Sequence, residues 1–245
     1  MAGGAYTALS GLRTRFDQLD RVASDLANVN TAGYKRENIV FHTAERVMPG
    51  VRGPQGRVGY VLDFGTAQDH AQGQLIATDN PLDVAIVGDA YFTVRTADGQ
   101  TAYTRNGRLQ ILAGGELGLA SGERIMDTRG QPIVLDEDDA QVSIGRDGLV
   151  TTSNGERGRI ALARFPDGSR LEKLGDSLVT GNAQAADLDD SELRAGMIEG
   201  ANVSPIAETT EMIEILRAYQ TMQRIIERTN DIRGRAIDRL GRVDY

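Results

Sequence analysis

The chain has 245 residues, 40% of them hydrophobic and 5% aromatic, and a formal net charge of −8 at pH 7. It contains no cysteine, which excludes disulfides, thiolate metal sites and cysteine nucleophiles. The net charge is +2 over residues 1–36 and zero over residues 201–245, so residues 37–200 carry a net charge of −10. Because no basic face is visible, we predict no binding to nucleic acid.

The N-terminal segment predicts an amphipathic helix, because apolar residues recur at steps of three and four between residues 5 and 30. Residues 28–33, Asn-Val-Asn-Thr-Ala-Gly, favour turn and left-handed conformations, so the helix is expected to end there. The apolar stripe consists of Leu9, Leu12, Phe16, Leu19, Ala23 and Leu26.

The first residues predict no cleaved signal peptide, since they lack a basic region followed by an apolar run. No stretch approaches the roughly 20 apolar residues of a spanning helix, so membrane insertion is not expected. These features indicate either a cytoplasmic protein or export by a route that reads no cleavable leader.

Glycine and proline punctuate residues 37–81, which we interpret as an extended linker with short strands near 58–62 and 74–77. Residues 82–190 predict an all-β domain of short hairpins. Short β-branched runs alternate there with Asx-Gly pairs, which supply the positive φ angles of tight turns. These pairs include 98–99, 106–107, 147–148 and 154–155.

Residues 191–245 predict a return strand or linker followed by a second long helix. Ser204 and Pro205 resemble a helix start, with serine as the cap and proline in the first helical position. The apolar seam of this helix is wide, which favours more than one helical neighbour. Its residues are Met212, Ile213, Ile215, Leu216, Tyr219, Met222, Ile225 and Ile226.

No residue pattern predicts catalysis, a cofactor or a metal site. His42 and His70 are the two histidines and lie in the expected linker. The acidic run 136–139 lacks the ligand spacing and central glycine of a calcium loop, so a solvated turn is expected there. No pair of carboxylates stands out for glycosidase chemistry.

Four segments, in chain order, resemble the motifs of flagellar rod and hook proteins. They are Leu26-Ala-Asn-Val-Asn-Thr-Ala-Gly-Tyr-Lys-Arg36, Asn80-Pro-Leu-Asp-Val-Ala-Ile-Val-Gly-Asp89 with Tyr91-Phe92, Ala102-Tyr-Thr-Arg-Asn-Gly107, and Gly200-Ala-Asn-Val203 with Met212-Ile213 and Arg217-Ala-Tyr219. Ala90 departs from the glycine usual in the family, and residues 1–4 are less apolar than in most relatives.

The resemblance implies an α+β protein in which the N- and C-terminal helices pair as an inner coiled coil, with a central all-β domain of short hairpins outside it. It implies a structural subunit of the basal-body rod that polymerises into a hollow, torque-transmitting shaft in the periplasm. Its partners would be copies of itself, other rod proteins and the flagellar type III export apparatus. Length excludes most hook proteins, which are longer, and motif details favour the proximal rod over the distal rod, which remains the alternative.

We therefore predict four regions: an assembly helix and turn (1–36), a linker (37–81), a β domain (82–190), and a return strand with a second assembly helix (191–245). A soluble β-domain binding module that dimerises through its helices is the alternative from another class. The expected assembly residues are Leu9, Leu12, Phe16, Leu19, Leu26, Met212, Ile213, Leu216, Tyr219, Met222 and Ile226. The expected motif turn consists of Asn28, Asn30, Thr31, Gly33 and Tyr34.

Overall fold

A computed structural model describes residues 2–47, 57–136, 138–139, 141–166, 169, 171–175, 177–186 and 191–241. These residues form an α+β protein with an N-terminal helix, a C-terminal helix and a β-rich region between them, as predicted. The chain divides into two compact units. The helical unit contains residues 1–27, 37–67 and 204–245, and the β unit contains residues 28–36 and 68–203.

The helical unit contains α1 (Ala2–Ala27), a hairpin of β1 (Glu37–Val47) and β2 (Arg57–Gln68), and α2 (Pro205–Gly241). The end of α1 and the start of α2 lie close to the predicted positions, and the Glu208 N–H donates to the Ser204 carbonyl at 3.0 Å. β2 and β3 (Leu75–Ala77) contain the short strands predicted near 58–62 and 74–77, but β1 was not predicted, and its pairing with β2 makes part of the expected linker a hairpin. Residues 57–64 alternate between apolar and other side chains, a period of two that favours a strand over a spacer.

The β unit is built mainly around one antiparallel sheet with the strand order β14-β15-β6-β5-β9-β8-β7, to which β13 adds by pairing with β5 and β16. Smaller sheets pair β10-β11-β12, β17-β4 and β18-β3. Their bounds are β3 (Leu75–Ala77), β4 (Val84–Val87), β5 (Ala90–Arg95), β6 (Thr101–Thr104), β7 (Leu109–Ile111), β8 (Leu117–Leu119), β9 (Arg124–Ile125), β10 (Ser143–Ile144), β11 (Leu149–Thr152), β12 (Gly155–Arg159), β13 (Leu162–Arg164), β14 (Glu172–Gly175), β15 (Leu178–Thr180), β16 (Gln184–Ala185), β17 (Glu192–Ala195) and β18 (Met197–Glu199).

The core of the β unit lies under these sheets and is formed by apolar side chains with almost no exposed surface. The largest include Phe92, Ile86, Leu117, Ile125 and Leu193. Burial of each such side chain stabilises the fold by roughly 1.5–3 kcal/mol. Strands as short as β8, three residues long, are therefore held by packing on both sides rather than by their length.

Most predicted Asx-Gly turns close hairpins, but Asn106-Gly107 does not. It joins β6 to β7, which pair with other strands. A Cβ built on Gly107 would lie 1.6 Å from the Val84 carbonyl oxygen, so close backbone packing explains this glycine. Residues 132–135, one of the β-branched runs of this region, form only isolated bridges, at Pro132 and Val134.

In the predicted solvated turn, Asp136 and Asp138 are exposed, whereas Asp139 is held by hydrogen bonds. The Asp139 carboxylate accepts from Arg157 at 2.6 Å, from Thr152 at 2.8 Å and from Asn154 at 3.0 Å. These donors, Arg157 first, keep the pKa of Asp139 well below its ordinary value. The turn is thereby fixed to the β11-β12 hairpin.

The low pKa of Asp139 predicts a specific acid sensitivity. A carboxyl group whose pKa is lowered on folding stabilises the protein above its unfolded pKa, about 4, and this contribution is lost as pH falls below that value. We expect Asp139→Asn to make the fall in urea midpoint between pH 7 and pH 3 shallower than in the wild type. Asp98→Asn, in an exposed turn, is the control, and an equal slope in the Asp139 variant would contradict the prediction.

Candidate functional site

The two helices of the helical unit contact each other and run antiparallel. Arg21 Nη2 lies 2.6 Å from Glu211 Oε1, and a Cβ built on Gly11 would lie 3.1 Å from Met222 Cε. Residues near the end of α1 therefore contact the start of α2, and residues nearer the start of α1 contact the middle of α2. This register places Phe16 level with Leu216, and Leu19 level with Met212.

The predicted stripe of α1 is not its most buried face. Val22, outside the stripe, is fully buried, whereas Phe16 is 54% exposed and Ala23 is exposed. Leu12, Leu19 and Leu26 are partly buried, and Leu9 lies in α1 with its side chain outside the described residues. Heptad spacing located the helix correctly, and the side of α1 that packs within the chain lies next to the predicted assembly stripe, which stays partly exposed.

The predicted seam of α2 divides into two groups. Met212, Tyr219, Met222 and Ile226 are partly buried, and the neighbouring Ile215 is 4% exposed. Ile213 and Leu216 are exposed by 47% and 39%.

Both helices place apolar side chains on the same flank of the pair. At about 100° per residue, Leu12, Phe16 and Leu19 turn to the side of α1 opposite Arg21. In an antiparallel partner, Met212 and Leu216 turn to the matching side of α2, opposite Glu211. One flank thus carries the Arg21–Glu211 ion pair, and the other, the apolar flank, consists of Leu12, Phe16, Leu19, Met212 and Leu216.

The motif turn belongs to the β unit. Thr31 donates through its N–H to the Asn28 carbonyl at 3.0 Å and through its hydroxyl to Asn28 Oδ1 at 3.1 Å. Gly33 has a φ of +70° and donates its N–H to the Glu199 carbonyl at 2.8 Å. The Tyr34 ring is buried and lies 4.9 Å from Lys173 Nζ, while Asn30 is exposed.

A buried ion cluster lies directly behind this turn. Glu199 Oε1 accepts from Lys35 Nζ at 2.6 Å, and Glu199 Oε2 accepts from Arg105 Nη1 at 3.2 Å. The three side chains are exposed by 2% or less. Arg105 also donates to the Gly88 carbonyl and stands 4.9 Å from the centre of the Tyr91 ring. Charges removed from water in this way persist only where they are paired and hydrogen-bonded.

The cluster holds a segment that we call the strap, residues 69–73. Lys35 Nζ donates to the Ala71 carbonyl at 2.8 Å, and the Gly73 N–H donates to Glu199 Oε1 at 2.8 Å. Asn202 donates to the carbonyls of Asp69 and Ala71 and accepts the Arg36 N–H at 2.7 Å. We call the four side chains of Lys35, Arg105, Glu199 and Asn202 the clasp.

Burial shifts the pKa values of Lys35, in the clasp, and of His70 and Tyr91 beside it. Burial lowers the pKa of Lys35, although the hydrogen bond and charge of Glu199 oppose that shift. His70 lies at the edge, with Nδ1 2.8 Å from the Tyr91 hydroxyl, and its pKa is lowered by burial and by the charges of Lys35 and Arg105. Burial also raises the pKa of Tyr91.

Sequence reasoning did not single out Lys35, Arg105 or Glu199 as site residues. The first two stand inside the quoted motifs, and Glu199 directly precedes the fourth, so the motif letters contained the signal. Their joint role could not be read because Lys35 and Glu199 are 164 positions apart. Within the described residues, no group of His, Cys, Asp or Glu could hold a metal ion, and no helix is long and apolar enough to cross a membrane.

Comparison with known proteins gives consistent similarities along the chain. Residues 85–152 match the D1 domain of the flagellar hook protein FlgE/F/G family, and residues 194–239 match the C-terminal domain of flagellar basal-body rod FlgEFG proteins. The chain is 34% identical to flagellar basal-body rod protein FlgF of Caulobacter vibrioides, over all of both chains. It is 32% identical to FlgF of Mesorhizobium japonicum, over 98% of this chain and 99% of the relative. It is 31% identical to rod protein FlgG of Bacillus subtilis, over 95% of this chain and 97% of the relative.

Proposed function

The chain belongs to the flagellar basal-body rod protein family, and on that premise we propose that it is a structural subunit of the rod that polymerises through its terminal helices. Rod proteins are structural components, so no enzymatic activity is assigned. Whole-length similarity to two FlgF proteins supports the proximal rod as its place. Similarity to FlgG proteins makes the distal rod the alternative.

The observation that carries this proposal is the apolar flank. A single chain packs α1 against α2 and still leaves Phe16 and Leu216 substantially exposed at the same level of the pair. Scattered exposed apolar residues need no explanation, but a row contributed by two helices indicates an interaction surface. In the proposed rod this flank packs, as a coiled coil, against the helices of neighbouring subunits.

The predicted regions have separate roles in this proposal. Within the predicted assembly segments, 1–36 and 191–245, the helices α1 and α2 contact other subunits. The predicted β domain, 82–190, forms an outer domain together with residues 28–36, 68–81 and 191–203. We also propose that the subunit is exported by the flagellar type III apparatus and assembles in the periplasm with other rod proteins. Its acidic middle then faces outward.

Leu216→Glu tests the apolar flank. Covering the 39% of Leu216 that the subunit leaves exposed is worth about 0.6–1.2 kcal/mol, and burying an unpaired carboxylate in its place adds a larger cost. The substitution is therefore expected to raise the critical concentration for polymerisation at least about tenfold. Sedimentation and negative-stain electron microscopy of the purified chain measure it. Thr221→Glu adds the same charge at an exposed position on the other side of α2 and is expected to polymerise like the wild type.

Three outcomes would contradict the proposal. Equal polymerisation of both variants would remove the apolar flank from the interface. A wild-type chain that forms a defined dimer at all concentrations would favour the binding module that dimerises through its helices. Normal motile flagella in a strain lacking the gene would exclude a role in the rod.

A further inference from the structure

The chain passes between its two units four times, after residues 27, 36, 67 and 203. The clasp lies beside these crossings on the β-unit side. Arg36 is the last residue before the second crossing, Asp69 follows the third by two residues, and Asn202 precedes the fourth by one. The first crossing leads through the motif turn to Gly33, whose N–H is bound by the Glu199 carbonyl.

Hydrogen bonds connect these positions directly to one another. Asn202 bridges Arg36 and Asp69, and the Asp69 N–H also donates to the Arg36 carbonyl at 2.8 Å. The Asn202 N–H donates to the Tyr34 carbonyl. Lys35 and Asn202 both donate to the Ala71 carbonyl, from opposite ends of the sequence.

The remaining contacts tie these segments into the β unit. Arg105, which follows β6, joins Glu199 to the Gly88 carbonyl at the turn before β5. The backbones at Gly73 and Gly200 pack in close contact, because a Cβ built on Gly73 would lie 2.0 Å from the Gly200 carbonyl oxygen. Any force that the covalent chain carries between the units therefore enters the β unit at residues held by the clasp.

We propose that Lys35, Arg105, Glu199 and Asn202 form a mechanical joint that holds the four chain crossings together, so that they resist force as one body. The inference rests on the proposed function only for the origin of the load, which in a rod is torque. Without the clasp, a force on one crossing would pull only that segment of the chain away from the β unit. With the clasp in place, the same force is distributed over the chain segments at all four crossings and over β5 and β6, which lie next to Arg105.

Constant-force optical tweezers on single full-length chains test the joint. The chain has no cysteine, so two introduced cysteines give unique attachment points. In the crossing geometry the handles are Asp98→Cys, in the turn between β5 and β6, and Arg235→Cys, on exposed α2. In the bypass geometry both handles, Asp98→Cys and Glu156→Cys, lie in the β unit, so the force does not enter through a crossing.

Lys35→Met is expected to shorten the lifetime of the folded β unit at least about tenfold more in the crossing geometry than in the bypass geometry, where only the general loss of stability acts. Asn202→Ala, which removes no charge, is expected to change lifetimes in the same direction and carries the test if Lys35→Met does not fold. Arg124→Met removes another cation at 2.6 Å from its carboxylate, but an exposed one, and is the matched control.

Equal shortening in both geometries would overturn the proposal, because it would indicate a general loss of stability. An unchanged lifetime in the crossing geometry would overturn it as well. The measurement uses monomers, so a chain that fails to polymerise would defeat the proposed function and leave this result standing.

Discussion

Glu199→Gln is expected to lower the free energy of unfolding by about 3–5 kcal/mol. The substitution keeps the shape of the side chain but removes the negative charge between Lys35 and Arg105. Two cations with 2% or less of their side chains exposed would then remain without their shared counter-ion. Equilibrium urea unfolding of the full chain at pH 7, followed by far-UV circular dichroism, measures the loss.

A matched substitution separates burial from charge. Glu116→Gln also removes a carboxylate that lies 2.6 Å from its cation, Arg124, but that pair is partly exposed. Exposed ion pairs contribute about 0–1 kcal/mol, so this control should unfold near the wild-type midpoint. Lys35→Met should lower the free energy of unfolding by less than Glu199→Gln does, because the Glu199 carboxylate would still accept hydrogen bonds from Arg105 and from the Gly73 N–H. A loss from Glu199→Gln no larger than that of the control would contradict the account of the clasp.

Gly33→Ala is expected to cost about 2–5 kcal/mol for two separate reasons. The residue has a φ of +70°, which alone costs an L-amino acid about 1–2 kcal/mol. The added Cβ would also lie 2.3 Å from the Arg105 carbonyl carbon and 2.4 Å from the Asn106 nitrogen. The backbone of the motif turn would have to move away from the clasp to accommodate it.

Gly99→Ala isolates the first reason. Gly99 has a φ of +79°, and no heavy atom lies within 4 Å of the position its Cβ would take. Its substitution should therefore show the conformational cost alone, and the difference between the two variants measures the close approach at Gly33. Both are read by urea unfolding. Equal losses would mean that the turn shifts freely and that its packing on Arg105 is not specific.

The parts of the fold that follow from local pattern were predictable. Periodicity located both helices, and the Asx-Gly pairs at 98–99 and 154–155 marked hairpins because their φ angles are decided within a few residues. The β1–β2 hairpin differed from the expected linker, because glycine and proline in that region outweighed an alternation that was visible in residues 57–64.

The packed faces and the clasp depend on partners far away in the sequence. Val22 is buried although it lies outside the predicted stripe, whereas Ala23 lies in the stripe and is exposed. The side of α1 that packs within the chain is determined by tertiary contacts and not by the pattern of the helix itself. Apart from its place just before the fourth motif, Glu199 carried no local signal, since a single acidic residue at a strand end is usually exposed. Only the meeting of residues 35, 105 and 199 gives it a role.

The long sequence separation of these contacts has a consequence for folding. Lys35 meets Glu199 across 164 positions, and Arg21 meets Glu211 across 190. Contacts of this range slow folding because loop-closure entropy must be overcome before they form. A chain that emerges from its N-terminus first can complete neither the clasp nor the helix pair until its last fifth is available. The topology therefore delays the completion of folding until nearly the whole chain is available.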